Sequence, residues 1–298
     1  MLYYSMGRKK TEGIEPEKSD ELISPPASTG STLEERLAKN RALFNGAGGE
    51  IWRLTVYEPV HDGWLFANIG GRQVLDQIGS VAGLNESSEV IEFCCGLADT
   101  CCYLALNFGC RVTGIDINPH QLQHACLNLF NRRSQVCDRV QFVCEDVSSW
   151  EPQRRYDLVY AMDSLMYLPD RREILSKAYN SLVPGGRLVI AEVAAGPNIS
   201  EAARDLMWQK EGVIEILSCA QQMKMITEAG FSNVKQQDLT AQGRDCFEKI
   251  SAATRRHRKT LIRLEGGALY SERLSDNQMY AQFFRDGTLM YFLTYCER

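Results

Sequence analysis

The chain has 298 residues, a formal net charge of −5, and 24% charged against 44% hydrophobic side chains, which fits one α/β domain with extensions and a full buried core. The acidic balance offers no general attraction for nucleic acid, and the longest apolar runs are strand length, far short of the roughly 20 residues a membrane helix needs. The start, MLYYSMGRKK, lacks the h-region of a secretory signal, and eleven cysteines in such a chain argue for free thiols in a reducing, cytoplasmic setting rather than a disulfide framework.

Residues 1–30, rich in Lys, Glu, Ser and Pro, read as a disordered tail. Ser31-Thr32-Leu33-Glu34 looks like a capped helix start that continues to about Phe44, where Asn45-Gly46-Ala47-Gly48-Gly49 stops it. Residues 51–68 are dense in aromatics, Tyr57, Trp64 and Phe66 among them, and a helix over Gln73–Ala82 follows. Val90-Ile91-Glu92-Phe93 then reads as a buried parallel strand ending in a tight turn around Gly96. A helix starts near Ala98, and a second apolar run, Arg111 to Ile115, closes on Asp116, twenty positions after Gly96. Strand, glycine turn, helix and a strand ending in a carboxylate form a nucleotide-binding βαβ unit, in which Asp116 accepts hydrogen bonds from ribose hydroxyls.

The turn itself reads Cys94-Cys95-Gly96-Leu97-Ala98-Asp99. A dinucleotide turn needs Gly-x-Gly-x-x-Gly with its amides facing a pyrophosphate. Asp99 would place a carboxylate against those phosphates, whereas a carboxylate tolerates a cationic sulfonium ligand. Glu92 at the strand end can hold an amino-acid ammonium group.

On these residues the chain resembles the class I S-adenosylmethionine-dependent methyltransferases. Glu92, Gly96 and Ala98 fall on the acidic, second-Gly and third-Gly positions of that family's first motif, with Cys94 in place of the first Gly. Phe142 to Val147 matches its third strand, Tyr156 to Asp163 its fourth, and Leu182 to Ile190 its turn and fifth strand, in order over roughly Leu75 to Ala195. The Cys-Cys-Gly-Leu turn is similar to one seen in small-molecule members of the tocopherol and sarcosine type. The resemblance implies an α/β, Rossmann-like sheet of seven strands with an antiparallel last strand, here preceded by a helical N-terminal segment and aromatic lid over 31–70. The methyltransferase domain is expected over 71–298, with helical covers at about 197–217 and 242–286. It implies S-adenosylmethionine as cofactor, held at the first turn by Glu92, Cys94, Gly96, Ala98 and Thr100. Further cofactor positions would be Asp116, Ile117 and Gln121 after the second strand, Asp146 and Val147 after the third, with Asp146 at the adenine amino group, and Ala161 and Met162 on the fourth.

Methyl transfer is an in-line displacement, favoured by holding nucleophile, methyl carbon and sulfur collinear and by a base where the nucleophile carries a proton. In this family the end of the fourth strand lies beside the methyl. Asp163 there is the candidate base or cation stabiliser and Tyr167, four residues on, the candidate that orients the substrate. The plainer reading makes Asp163 a helix cap and Tyr167 packing. Tyr57, Trp64, Met166 and Trp208 are candidate substrate contacts, and His61 a weaker candidate base. His120 and His124 have a spacing that can bind metal, but no third ligand accompanies them and no metal is expected. Arg255-Arg256-His257-Arg258-Lys259 reads as a solvated face.

The expected activity is methyl transfer to a small, largely apolar metabolite at oxygen, nitrogen or carbon. The competing reading is a methyltransferase-fold protein that binds the cofactor without transferring methyl, as a cyclisation or rearrangement catalyst or scaffold. A nicotinamide-dependent oxidoreductase is disfavoured by the broken glycine pattern. A nucleic-acid or protein methyltransferase is disfavoured by the charge and by the absence of a Pro-Pro-aromatic motif after the fourth strand. Oligomerisation stays open, with the helix near Thr32 to Phe44 as the segment that could swap onto a neighbour.

Overall fold

The computed structural model describes residues 53–298. The expected tail over 1–30 and the helix from Thr32 to Phe44 lie outside the described residues. A π-helical turn, Arg53–Tyr57, and one short helical turn, Glu58–Val60, lead through a coil that includes Trp64 to Asn68 into α1, Gly71–Ala82. There Val74, Leu75 and Ile78 form the buried stripe, and Gly83 ends the helix in the left-handed conformation. Then come β1 (Glu89–Phe93), α2 (Asp99–Phe108), β2 (Arg111–Asp116), α3 (Pro119–Arg132), β3 (Val140–Cys144), β4 (Tyr156–Met162), α4 (Arg171–Ser181) and β5 (Leu182–Ala195). α5 (Glu201–Glu211), α6 (Cys219–Glu228) and β6 (Ser232–Asp238) follow, then α7 (Thr240–Arg256), α8 (Arg258–Glu265), α9 (Gly267–Arg285) and β7 (Leu289–Glu297).

The strands form one sheet in the order β3-β2-β1-β4-β5-β7-β6. β1 to β5 pair in parallel and β7 lies antiparallel to both β5 and β6. Beyond their first residues β1 and β2 are buried on both faces because helices cover both, as in parallel sheets generally. The chain turns one way after β1, to β2 and β3, and the other way at β4. The crevice between the carboxyl ends of β1 and β4 is therefore the place where a ligand fits.

Two expectations change. The first part of the helical cover expected over 242–286 is broken at His257 into α7 and α8, in the middle of the mostly exposed Arg255–Lys259 run. The expected cover over 242–286 lines none of the crevice. Its three helices spend their apolar faces on one another and on β7, with the Phe247 ring 5.2 Å from Tyr280 and 5.9 Å from Phe284. Among the described residues no helix is long and apolar enough to cross a membrane, and all eleven cysteines are free thiols.

Candidate active site

At the end of β1 the backbone takes left-handed values at alternate residues: Cys94 (φ 59°), Gly96 (φ 54°) and Ala98 (φ 55°). The turn thus needs left-handed backbone at three places and has glycine at only one; the other two carry a strain of about 1 kcal/mol each. At Gly96 a Cβ would lie 2.8 Å from Gln121 Oε1, so the missing side chain keeps the crevice open.

Asp116, at the end of β2, accepts from the Gly96 N–H through Oδ2 and from the Asn118 N–H through Oδ1, both at 2.8 Å. Burial raises its carboxyl, and those two amides work against the rise. Asn118 also caps α3, accepting from the amides of His120 and Gln121, which places Gln121 beside the turn. Asp146, after β3, is fixed by the Ser148 amide and hydroxyl at 2.9 and 2.7 Å.

Glu92 is 3% exposed and ringed by donors: Thr100 Oγ1 at 2.8 and 2.6 Å, Cys101 Sγ at 2.9 Å and the Tyr160 hydroxyl at 2.6 Å. Burial pushes its carboxyl up to about 7, against the lowering pull of Cys101, Thr100 and Tyr160.

Asp163, one residue past β4, is also left-handed (φ 46°). Its Oδ2 accepts from the Ile69 N–H at 2.7 Å and lies 3.3 Å from the Tyr291 hydroxyl. Its Oδ1 is buried without a partner, and burial pushes the carboxyl to about 7. It caps no helix: Ser164 stands at the start of the following 3-10 turn, which has no side-chain cap. The Tyr167 phenol is raised by burial and by the carboxylates of Glu211 and Asp163, and it is hydrogen-bonded to Glu211. Burial likewise carries Glu211, at the end of α5, to about 7, with that phenol opposing the rise.

These groups surround one cavity of about 220 Å3. Of the sequence candidates, Glu92, Cys94, Gly96, Ala98, Thr100, Asp116, Ile117, Gln121, Asp146, Val147 and Met162 line it, with Asp163, Tyr167 and Trp208. Four candidates do not. Ala161 faces the opposite side of β4, in the core with Val159, as strand alternation requires. Met166 is 1% exposed and packed away, its N–H given to Glu192 Oε1 at 2.7 Å. Tyr57 is 4% exposed and stacked on His61. Trp64 lies flat on Phe66 under the Arg133 guanidinium, 3.9 Å from its ring centre. His61 is also outside the lining, held neutral by burial, which lowers it to about 4.

In their place the aromatic segment contributes Leu65, Phe66, Ala67 and Asn68, and Ser164 and Glu211 complete the wall. Phe66 belongs to the aromatic segment singled out from sequence and Ser164 follows the candidate base, whereas Leu65, Ala67, Asn68 and Glu211 were not singled out. The only signal for Asn68 was an amide inside an otherwise apolar run, and for Glu211 a carboxylate just before a helix-ending glycine. Asp99, read from sequence as a carboxylate at the ligand that would oppose phosphates and tolerate a sulfonium, does not line the cavity. It accepts instead from the Leu65 N–H at 2.7 Å and from Asn128, and pairs with Arg133 at 3.4 Å.

The residues fit a ligand with an adenosine and a positively charged amino-acid arm. A glycine cradle, a ribose-facing carboxylate and a buried acid line the space, with no Lys, Arg or His among the described lining residues. The comparisons point the same way. A methyltransferase domain family matches residues 91–188. The chain is 26% identical over 212 residues to the phosphoethanolamine N-methyltransferase of Plasmodium falciparum, covering 70% of this chain and 77% of that one. Among solved structures it is similar to the Haemonchus contortus phosphoethanolamine N-methyltransferase 2 complexed with phosphomonomethylethanolamine and S-adenosylhomocysteine. There the TM-score is 0.77 at 17% identity, over 90% of this chain but only 60% of that one. It is also similar to a [4+2]-cyclase, at TM-score 0.67 and 18% identity over 84% of this chain and 94% of that one. The chain is thus similar in sequence and in fold to class I S-adenosylmethionine-dependent methyltransferases, and S-adenosylmethionine is the cofactor that its cavity fits.

Proposed function

We propose that the chain methylates a small, largely apolar metabolite. The observation that carries this reading is Asp163 Oδ1, buried, unpartnered and on the cavity wall at the end of β4, beside apolar surfaces from Phe66, Met162 and Leu168. Bound S-adenosylmethionine supplies an electrophilic methyl group on a sulfonium. The chain's part is to hold and exclude: Glu92 and the 94–98 turn at the amino-acid arm, Asp116 at the ribose and Asp146 at the adenine. Tyr167 orients the acceptor and Asp163 Oδ1 holds the proton that an acceptor oxygen or nitrogen gives up. In this reading 71–298 is the catalytic domain, 31–70 its lid, and the protein works in the cytoplasm.

Isothermal titration with S-adenosylmethionine and with NADH tests the cofactor assignment, and an acceptor screen reading S-adenosylhomocysteine release tests the transfer. Micromolar binding of the first with none of the second supports the reading; no binding of S-adenosylmethionine removes it. A second reading, a cofactor-binding catalyst of cyclisation, draws on the cyclase likeness and on Cys94 and Ala98 standing where the family has glycine. Product formation without S-adenosylhomocysteine would select it.

A further inference from the structure

The acceptor end of the cavity carries polar atoms that the fold leaves unused. Asn68 is 8% exposed, and neither its Oδ1 nor its Nδ2 has a partner. Asp163 Oδ1 has none either, and the Ser164 hydroxyl, in a residue 7% exposed, meets only the Cys94 thiol. All three side chains line the cavity. Buried polar atoms are nearly always hydrogen-bonded, so the unsatisfied Asn68 amide and Asp163 Oδ1 on one wall mark where a ligand's polar head completes them.

The charge of that wall selects the head. Asp163 and Glu211 are carboxylates, Tyr167 and Trp208 add aromatic faces, and no cationic side chain is present among the described lining residues. A phosphate there would meet the Asp163 carboxylate with no cationic side chain among the described lining residues. An ammonium would meet charge-assisted acceptors and π-faces. The Asp163 carboxylate is also pinned from behind by the Ile69 amide and the Tyr291 hydroxyl, which leaves Oδ1 for the ligand.

Resting on the methyltransferase reading above, we propose that the acceptor enters as an aliphatic ammonium without a phosphate, its N–H groups donating to Asp163 Oδ1 and Asn68 Oδ1. The carbon chain lies against Phe66, Leu168 and Trp208. The nitrogen must lose a proton before its lone pair is a nucleophile: the N–H bond breaks, its electron pair stays on nitrogen, and the proton passes to Asp163 Oδ1. Burial brings that carboxyl to about 7, which suits it to take the proton and later return it to water.

The test is calorimetric titration of the full chain, first saturated with S-adenosylhomocysteine, using n-octylamine, 1-octanol and octyl phosphate as probes with one tail and three heads. Octylamine is expected to bind about tenfold more tightly than octanol, with no binding of octyl phosphate. Asp163→Asn is expected to bring octylamine down to the octanol level while S-adenosylhomocysteine affinity stays within about threefold. Asn68→Leu, which leaves the Asp163 geometry in place, is expected to weaken octylamine by about tenfold. Octanol matching octylamine, or octyl phosphate binding the more tightly, overturns the inference while leaving the methyltransferase reading intact. Failure of S-adenosylhomocysteine itself to bind, seen in the first step, overturns that reading and the inference with it.

Discussion

Ile69 gives its backbone N–H to Asp163 Oδ2 at 2.7 Å, joining segments 94 residues apart. The Tyr291 hydroxyl, on β7, lies 3.1 Å from the Ile69 carbonyl and 3.3 Å from the same carboxylate oxygen. One acid therefore ties the segment before α1 to the ends of β4 and β7, and its second oxygen stays available to the cavity.

Asp163→Asn keeps an acceptor for the Ile69 amide and removes the proton-accepting charge. Turnover, followed as S-adenosylhomocysteine release, is expected to fall by about 10²–10³-fold with thermal stability close to wild type. Asp163→Ala also strips the Ile69 amide of its partner and is expected to cost a further ~1–3 kcal/mol of stability. Full turnover in the Asn variant, with normal cofactor affinity, would falsify the role of Asp163 as base.

Glu92 predicts a pH dependence of stability. Its carboxyl is near 4.5 when unfolded and about 7 when folded, so between those values the native state binds more protons than the unfolded state. The stability that this group contributes is present in full below about pH 4.5 and is lost as pH rises to about 7. Glu92→Gln removes the titration. It will carry a constant penalty, because an amide cannot accept from Thr100, Cys101 and Tyr160 together. The difference in Tm between variant and wild type, both without ligand, is nevertheless expected to shift in the variant's favour from pH 5 to pH 8, by up to ~3 kcal/mol in stability. A difference that is flat with pH would mean Glu92 is not buried as a neutral acid.

What sequence could and could not reveal follows from how each residue is held. β1 and β2 were legible because burial on both faces leaves short, largely apolar runs, and Asp116 and Asp163 because they stand at fixed places on strand ends. The 51–68 segment has no period, so nothing in the sequence distinguishes Trp64, which stacks outside, from Asn68, which faces in. Asp99 misled for a related reason: a side chain at the start of a helix turns toward its partners, and Asn128 and Arg133 come from the far end of α3. Glu211 reaches the cavity only because α5, in an insertion outside the matched motifs, folds back over Tyr167.

Gly96→Ala should separate shape from charge at the first turn. The new Cβ would meet Gln121 Oε1 at 2.8 Å and sit at φ 54°. Gln121 is the flexible partner and swings into the cavity, so S-adenosylhomocysteine binding is expected to weaken by about tenfold or more, with a stability loss of ~1–2 kcal/mol from the left-handed backbone. Adding Gln121→Ala relieves the contact and leaves the backbone strain. The double variant is expected to recover much of the affinity and little of the stability, read by calorimetry and thermal unfolding in parallel. Recovery of neither would place the obstruction in the backbone.

The last prediction concerns the proposed lid. Arg133, just past the end of α3, donates to the Gly63 carbonyl at 2.7 Å, stacks its guanidinium on Trp64 and pairs with Asp99, which in turn holds the Leu65 amide. Asp99 is 1% exposed, so removing Arg133 leaves a buried carboxylate with less compensation. Arg133→Ala is expected to cost ~2–4 kcal/mol and to speed hydrogen exchange at Leu65 well beyond the change at β1 amides, because the lid opens locally before the sheet does. Cofactor affinity should fall with it, since Leu65 and Phe66 line the cavity. Arg133→Lys keeps the charge but neither the planar stack nor the fork, and it is expected to fall between the two. If exchange at Leu65 and at β1 rises equally, the segment unfolds only with the whole domain and is not a separate lid.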